Sequence, residues 1–518
     1  MWPERVEIFD TTLRDGLQRE GVSLSVEDKL KVARQLDHLG VHYIEGGWPG
    51  ANPKDEELFR RAPAELELTT STLVAFGSTR RAGAAAEEDR VLADLLKANV
   101  TTVCLVGKAW DYHVTEALRT TLDEGVAMVE DSVSFLRGHG LRVFLDAEHF
   151  FDGYKRNPAF SLRVIQAAEA AGAERLVLCD TNGGALPHEV FAIVSAVRNE
   201  VGVPLGIHCH DDTGCAVANA LAAVQAGVTQ VQGCVNGLGE RTGNTNLSTV
   251  IPNLALKLGV ETIAPERLER LTSVSHHIAE LVNQAPDPQA PYVGQSAFAH
   301  KAGLHVSAIA RRPDAYEHVD PQMVGNGTRF VVSELAGRQT LVIKMNALGL
   351  EPDGAVVLTV LDQLKTLENQ GYHFEVADGS LELLIRRAAH LVPSFFEVES
   401  YRTFVDASSA EATVKLAVGG ERVVETGEGN GPVNALDAAL RKALRSRFPA
   451  LERVHLTDYK VRVLDTAAGT AAITRVLIDS SDGDRSWTTI GVGENVITAS
   501  WEALVDSLVY ALLDRAEA

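Results

Sequence analysis

From residue 5 to about 257, short apolar runs alternate with longer segments of helical period. The strand-like runs are VEIFDTTL, VHYIEGG, LTTSTLVAF, TTVCLVG, LRVFLDAEH, RLVLCDT, PLGIHCH and QVQGCVN. Their β-branched and aromatic side chains suit a pleated, buried surface. Between them lie segments such as SVEDKLKVARQLDHLG, EEDRVLADLLKANV and TGCAVANALAAVQAGV, whose apolar residues follow the helical repeat. The first of these carries its own punctuation. Ser25 followed by Asp28 predicts a side-chain cap, and Gly40 predicts the stop. Eight strand–helix alternations over about 250 residues predict a (β/α)8 TIM barrel, an α/β fold. An open doubly wound sheet is the competing architecture. It usually has fewer strands, and no dinucleotide glycine fingerprint follows the first strand here.

A barrel makes a demand on the sequence, because its functional side chains gather at the C-terminal ends of several strands. Polar residues do fall there. Asp15 follows the first strand, Glu45 lies in the second and Glu148 follows the fifth. Thr181 and Asn182 follow the sixth, His208 and His210 lie in the seventh, and Asn236 and Asn244 follow the eighth.

Beyond the barrel the pattern changes. QAPDPQAP, around Pro286 to Pro291, marks a break, followed by SAFAHKAGLHVSAI and helical segments near 337–350 and 355–371. A further boundary falls near Pro393. The last stretch holds a weak internal repeat, TGEGNGPVNALDAALRKAL and IGVGENVITASWEALVDSL, each reading strand, glycine turn, Asn, helix. The expected organisation is a catalytic barrel over 1–270, mostly helical linker and lid subdomains over 271–392, and an α+β domain over 393–518 with a duplicated ββα-type unit.

Composition narrows the partners. At 518 residues the chain exceeds one core. Its 48 Lys and Arg against 70 Asp and Glu give a net charge of −22, which argues against nucleic acid or an anionic membrane. None of the five cysteines forms a C-x-x-C pair, and most lie in apolar runs, so reduced thiols and a cytoplasmic protein are expected. MWPERVEIFD shows no basic segment followed by an apolar core, so no secretory signal is expected. No window of about 18 uninterrupted apolar residues predicts a membrane span.

The chemistry concentrates in a few constellations. In GIHCHDDTG, His208 and His210 share one face of a strand about 6.6 Å apart. They can aim two imidazoles at one cation at about 2.0–2.1 Å, while Cys209 points the other way. The plain alternative is a histidine-lined core. With oxygen ligands and open positions, such a pair suits Zn, Mn or Co, and Mg as well. Asp15 is the natural anionic ligand, since strands one, seven and eight are neighbours in a closed barrel. IFDTTLRDGLQREG packs Asp10, Thr11, Thr12, Arg14, Asp15 and Gln18 into nine positions. Arg14 offers a fixed fork of donors to an oxyanion, with Asp10, Thr11 and Gln18 positioning it and Asp15. An ordinary capped loop with an Arg–Asp surface pair is the bland reading. NGLGERTGNTNL places Asn244 at a predicted helix start, either as a cap or as an amide-oxygen metal contact. Glu148, in LDAEHFFDGY, is a candidate base. His300, Lys301 and His305 come from outside the barrel as capping residues or as a lid.

Read together, DTTLRDGLQ, HCHDDTGCAVAN, NGLGERTGNTNL, AFAHKAGLHVSAI and the C-terminal glycine-turn repeat resemble the DRE-TIM metallolyase superfamily. Within it they resemble the 2-isopropylmalate, homocitrate and citramalate synthases. The matching pieces cover almost the whole chain in the right order. YIEGGWPGANPKDEELF and DAEHFFDGY are more similar to the citramalate branch. The resemblance implies a Claisen-type condensation of acetyl-CoA with a 2-oxo acid and water. With pyruvate the product is citramalate, a route into isoleucine, whereas the isopropylmalate and homocitrate enzymes take other oxo acids. By position, Asp15, His208 and His210 resemble the ligands of a divalent cation (Mn, Mg, Zn or Co), with Asn244 an additional one. Arg14 resembles the group that polarises the carbonyl, and Gln18 and Thr181 resemble substrate contacts. Glu148 and His305 resemble the acid–base pair, with Tyr316 as a helper. A regulatory domain of the LeuA dimerisation type, feedback by isoleucine and a homodimer are implied as well. Leu17 and Asp211 depart from the usual pattern, which bears on substrate choice more than on reaction type. Leu73, Phe76, Leu105 and Asp146 are the expected pocket walls. A carbon–carbon lyase and an inactive amino-acid sensor are the remaining readings.

Overall fold

The computed structural model describes residues 2–513 except 301–307, 310, 313, 315, 331, 333–336, 407–408 and 465–470. The eight apolar runs form eight parallel strands: β1 (Glu7–Asp10), β2 (Tyr43–Gly47), β3 (Thr72–Ser78), β4 (Thr102–Lys108), β5 (Arg142–Glu148), β6 (Arg175–Asp180), β7 (Leu205–Cys209) and β8 (Gln230–Gly233). They close into a barrel in sequence order, with β1 against β8 through Asp10 and Gly233. The first barrel helix, Val26–Leu39, obeys its punctuation. Ser25 accepts a hydrogen bond from the Asp28 N–H, and Gly40 closes the helix in the left-handed region at φ 92°.

Alternation divides each strand between two environments. Outward side chains pack beneath the helices in one large core that includes Val103, Leu105, Val143, Leu145 and Leu176. Inward side chains form an aromatic plug of Phe9, Tyr43, Val74, Phe76, Cys104 and Phe144. Tyr43 and Phe144 meet edge to face at 5.2 Å, and Phe9 stacks on Tyr43 at 5.7 Å. Leu73 and Leu105 belong to the outward set, so they are not pocket walls as expected. Phe76 and Asp146 do face the interior. Gly233 is required where β8 ends, because a Cβ there would meet the Thr245 carbonyl at 2.3 Å. That close approach brings the segment after β8 back over the barrel mouth.

The chain divides into two compact units. The first holds the residues through Phe298 with Glu317–Thr328. Helix Leu271–Leu281 belongs to it, burying Leu271, Val274 and Ile278 in the barrel's outer core. The second holds the remainder. Its helices Arg338–Ala347, Gly354–Asn369 and Asp378–Ala388 pack around Leu341, Val360, Leu364 and Ile385, with Ile490 from the C-terminal repeat completing that core. The repeat itself has one strand more per half than the expected ββα. Strands Glu397–Val405, Ala410–Val418 and Glu421–Gly429 precede helix Pro432–Leu444. Strands His455–Val463, Thr474–Ser481 and Ser486–Gly493 precede helix Val496–Leu513. Among the described residues that last helix alone is long and apolar enough to cross a membrane, and it lies against its own sheet with Ala499, Leu504 and Leu508 in the domain core.

Candidate metal centre and active site

The β1 turn is built before it is used. Asp10 accepts from the Thr12 N–H at 2.8 Å and from the Thr12 hydroxyl at 2.9 Å, and that hydroxyl accepts from the Val235 N–H at 3.0 Å. The end of β1 is thereby tied to the end of β8. Asp15 is carried to the centre of the mouth, where its Oδ2 lies 3.5 Å from His208 Nε2 and 3.8 Å from His210 Nε2. The two imidazoles come from the end of β7, with their Nε2 atoms 3.4 Å apart. Cys209 between them turns outward into the core. All three side chains are buried.

This donor set fits a divalent cation. Asn244 donates through Nδ2 to Asp15 Oδ1 at 2.9 Å, which leaves its own Oδ1 buried and without a hydrogen-bond partner. His210 Nδ1 is also buried and unpartnered. An unpartnered buried acceptor costs about 1–3 kcal/mol, and a cation beside Asn244 Oδ1 would relieve it. Asn244 does not start a helix. The cap of helix Leu247–Pro252 is Asn246, whose Oδ1 accepts from the Ser248 N–H at 3.0 Å. Gly239, at φ 147°, gives Asn244 its room, since a Cβ there would lie 2.1 Å from the Asn244 amide nitrogen.

The electrostatics favour ligation. Burial opposes ionisation of Asp15, but the Arg14 guanidinium and His208 outweigh it and hold the carboxyl well below the usual range. Burial, reinforced by His208, pushes His210 down to about 4, so its ring is neutral. Burial acts against His208 too, yet Asp15 raises it above an ordinary histidine.

Arg14 is held on three sides. Nε donates to Glu45 Oε2 at 2.6 Å, Nη1 donates to Asp15 Oδ2 at 3.0 Å, and the guanidinium lies 4.0 Å from the centre of the Phe76 ring. Trp48 braces Phe76 edge to face at 5.4 Å. Among the described residues Nη2 has no protein partner, so one donor of a rigid fork remains for a ligand. Burial raises Glu45 to about 7 against the pull of Arg14, with Asp146 adding to the rise.

The opposite rim comes from β4 to β6. The Thr181 hydroxyl accepts from the His149 N–H at 2.9 Å, so its own proton is free to donate. His149 takes the left-handed conformation at φ 54°, a strained choice for a non-glycine residue directly after Glu148. Lys108 stands beside Glu148 in register on the neighbouring strand, and its ammonium contacts the Glu148 carboxylate. Gln18 ends the short turn Gly16–Gln18 and lines a cleft of about 490 Å³ with Arg14, Trp48 and Asn52.

The barrel thus brings together Arg14, Asp15, His208, His210 and Asn244. Thr181 and Glu148 stand at the ends of β6 and β5 in the same unit. Tyr316 and His300 belong to the second unit, where Ala299–His300 pairs with Arg329–Phe330. Lys301 and His305 lie outside the described residues. Sequence reasoning passed over Gln232 and Lys108. A glutamine on an inward strand position, in register with a histidine, was the available signal for the first. A lysine closing an apolar strand was the signal for the second.

Comparison with known proteins agrees with this architecture. Residues 5–278 match the HMGL-like family model, 292–372 the homocitrate synthase post-HMGL domain-like model, and 375–512 the LeuA allosteric (dimerisation) domain. The chain belongs to the HMGL-like family. Within it the chain falls in the citramalate synthase branch. It is 54% identical to the (R)-citramalate synthase of Streptomyces coelicolor, covering 98% of this chain and 96% of that one. It is 49% identical to that of Aquifex aeolicus, with 99% of each covered, and 45% identical to that of Sulfolobus acidocaldarius, with 99% and 98% covered.

Proposed function

We propose that this chain condenses acetyl-CoA with pyruvate and water, releasing (R)-citramalate and CoA in isoleucine biosynthesis. The observation that carries the reading is the convergence of Asp15, His208 and His210 beside a rigid Arg14 with a donor to spare. Relatives named (R)-citramalate synthase over nearly the whole length support the choice of oxo acid. A probable 2-isopropylmalate synthase and a homocitrate synthase, both of Methanopyrus kandleri, are less similar at 32% and 35%.

Asp15, His208 and His210, with Asn244 Oδ1, would hold a divalent cation. Mn, Mg, Zn and Co all suit two imidazoles with oxygen donors. When bound, the cation supplies Lewis-acid polarisation of the oxo-acid carbonyl. Arg14 Nη2 donates to the same oxygen as negative charge develops on it, which is worth most in a buried, preorganised site. The Thr181 hydroxyl donates to the pyruvate carboxylate, and Gln18 flanks the entry. Glu148 removes a proton from the acetyl-CoA methyl, and Lys108 orients its carboxylate. Phe76 and Trp48 wall the pocket and exclude water. By resemblance, His305, which lies outside the described residues, is proposed as the partner of Glu148 in the acid–base pair, with Tyr316 as a helper.

The C-terminal domain supports a homodimer and an amino-acid effector, for which we propose isoleucine. Free thiols at all five cysteines accord with residence in the cytoplasm. The test is thiol release from acetyl-CoA with pyruvate, 2-oxoisovalerate and 2-oxoglutarate in parallel, with and without Mn or Mg. Metal-dependent release with pyruvate alone is expected. Preference for another acid would overturn the substrate, and silence with all three would overturn the reaction.

A further inference from the structure

Beneath the metal ligands runs a chain of buried polar groups that the reaction does not use. His208 Nδ1 lies 2.9 Å from Gln232 Oε1, and Gln232 Nε2 donates to Asp146 Oδ1 at 2.9 Å. The Cys104 sulfur and an Asp146 carboxyl oxygen lie within 4.8 Å of one another. His208 and Gln232 are register partners on β7 and β8, Asp146 comes from β5 and Cys104 from β4. Every member is buried.

We infer that Gln232 and Asp146 are positioning residues that fix the tautomer of His208 and so prepare its Nε2 for the cation, an inference that rests on the metal reading above. The logic is one of donors and acceptors. The Asp146 carboxylate accepts from Gln232, which turns its NH2 group toward it. The amide oxygen then faces His208. An amide oxygen only accepts, so the proton of the neutral imidazole sits on Nδ1. Nε2 is left with its lone pair, on the side where Asp15 and His210 converge. With the amide reversed, Nδ1 would accept, the proton would move to Nε2, and the ligand would be blocked. Asp146 therefore acts on the cation through two intervening side chains and touches neither the cation nor its ligands. Ligating histidines held in this way commonly depend on the outer partner for about 10–100-fold in metal affinity.

Gln230, two residues back on the same strand, provides the control. It is equally buried, and neither its amide nitrogen nor its oxygen has a partner. Burial of an amide in β8 is thus separable from participation in the chain.

The experiment is a Mn²⁺ titration of the full-length protein, followed by electron paramagnetic resonance of the free ion, for the parent, Gln232→Leu, Asp146→Leu, the double variant and Gln230→Leu. Gln232→Leu should weaken Mn²⁺ by about 10–100-fold. Asp146→Leu should weaken it in the same direction, and the double variant should lose no more than Gln232→Leu alone. Gln230→Leu should bind like the parent. The parent loaded with Zn²⁺ should also show an exchange-protected imidazole proton at His208 Nδ1, a reading that needs no variant. An Asp146→Leu protein with parental affinity, losses that multiply in the double variant, or an unprotonated Nδ1 would overturn the inference. A parent that binds no metal would overturn the metal reading together with it. A parent that binds while all variants match it would overturn this inference alone.

Discussion

Replacing Arg14 with lysine keeps the charge and removes the geometry, which makes it the sharpest probe of the site. The guanidinium divides its work among separate atoms, with Nε on Glu45 at 2.6 Å, Nη1 on Asp15 at 3.0 Å, and Nη2 left over. A lysine has one ammonium for all three tasks. Two buried carboxylates already compete for it, so no donor remains for the oxygen on which charge develops. The loss is that of one preorganised oxyanion donor, about 10²–10³ in kcat or about 2.7–4 kcal/mol. KM for pyruvate should change less, because the ground-state carbonyl carries little charge. The stacked contact with Phe76 at 4.0 Å is lost as well, at about 0.5–2 kcal/mol of stability. Arg14→Met separates the two effects. It leaves buried carboxylates without their cation, and breaking such a pair costs about 3–5 kcal/mol of stability. Thiol release gives kcat and KM, and urea unfolding gives stability. If Arg14→Lys keeps the parental kcat, the electrophile assigned to Arg14 is wrong. If Arg14→Met is as stable as the parent, the clamp is not what holds the two carboxylates.

Glu148→Gln should lower kcat by about 10²–10⁴ with the protein still folded, the range of a lost general base; parental turnover in thiol release would remove Glu148 from that role. Burial pushes Asp10 up to about 7 despite two hydrogen bonds from Thr12, above its ordinary 3.8. The folded chain therefore holds this proton more tightly than the unfolded chain, a contribution complete below about pH 4 and lost as pH rises toward 7, up to about 4 kcal/mol in all. Asp10→Asn should flatten the urea-derived stability profile across that window, and an unchanged slope would show that Asp10 is ionised throughout. Deleting residues 393–518 should abolish inhibition by isoleucine in the thiol-release assay, whereas inhibition that survives would put the effector site elsewhere.

The barrel was legible because parallel strands are covered on both faces and read as apolar runs, and all eight appear where those runs lie. The same property hid the side-chain parity. With both faces apolar, nothing in LTTSTLVAF or TTVCLVG distinguishes the interior from the helix side. Leu73 and Leu105 were accordingly placed on the wrong face, while Phe76 was placed on the right one. The helix start expected at Asn244 was misplaced for a related reason. An asparagine before an apolar run reads as a cap, but here Asn246 takes that role and frees Asn244 for Asp15. The extra strand of each C-terminal half is its first, Glu397–Val405 and His455–Val463, and neither has a buried residue, so it left little hydrophobic signal.

What the sequence could not convey is how far the reactive end depends on the inert one. Phe76 belongs both to the aromatic plug and to the platform under Arg14. The plug is therefore more than filler, because its packing sets the height of the guanidinium. Trp48, which braces Phe76, sits in the loop after β2, and that loop is pinned by its own buried pair. Asp55 accepts from the Trp48 N–H at 2.9 Å and is ion-paired with Lys29, which also donates to the Gly46 carbonyl. A line of contacts runs from Lys29 in the first helix through Asp55, Trp48 and Phe76 to Arg14. Each step is a direct contact between buried or half-buried side chains, so a rotation of the Phe76 ring would be felt at Nη2. The dense polar cluster after β1 carries the chemistry proposed above, while this neighbouring line, drawn from two helices, a loop and a strand, holds Arg14 in place.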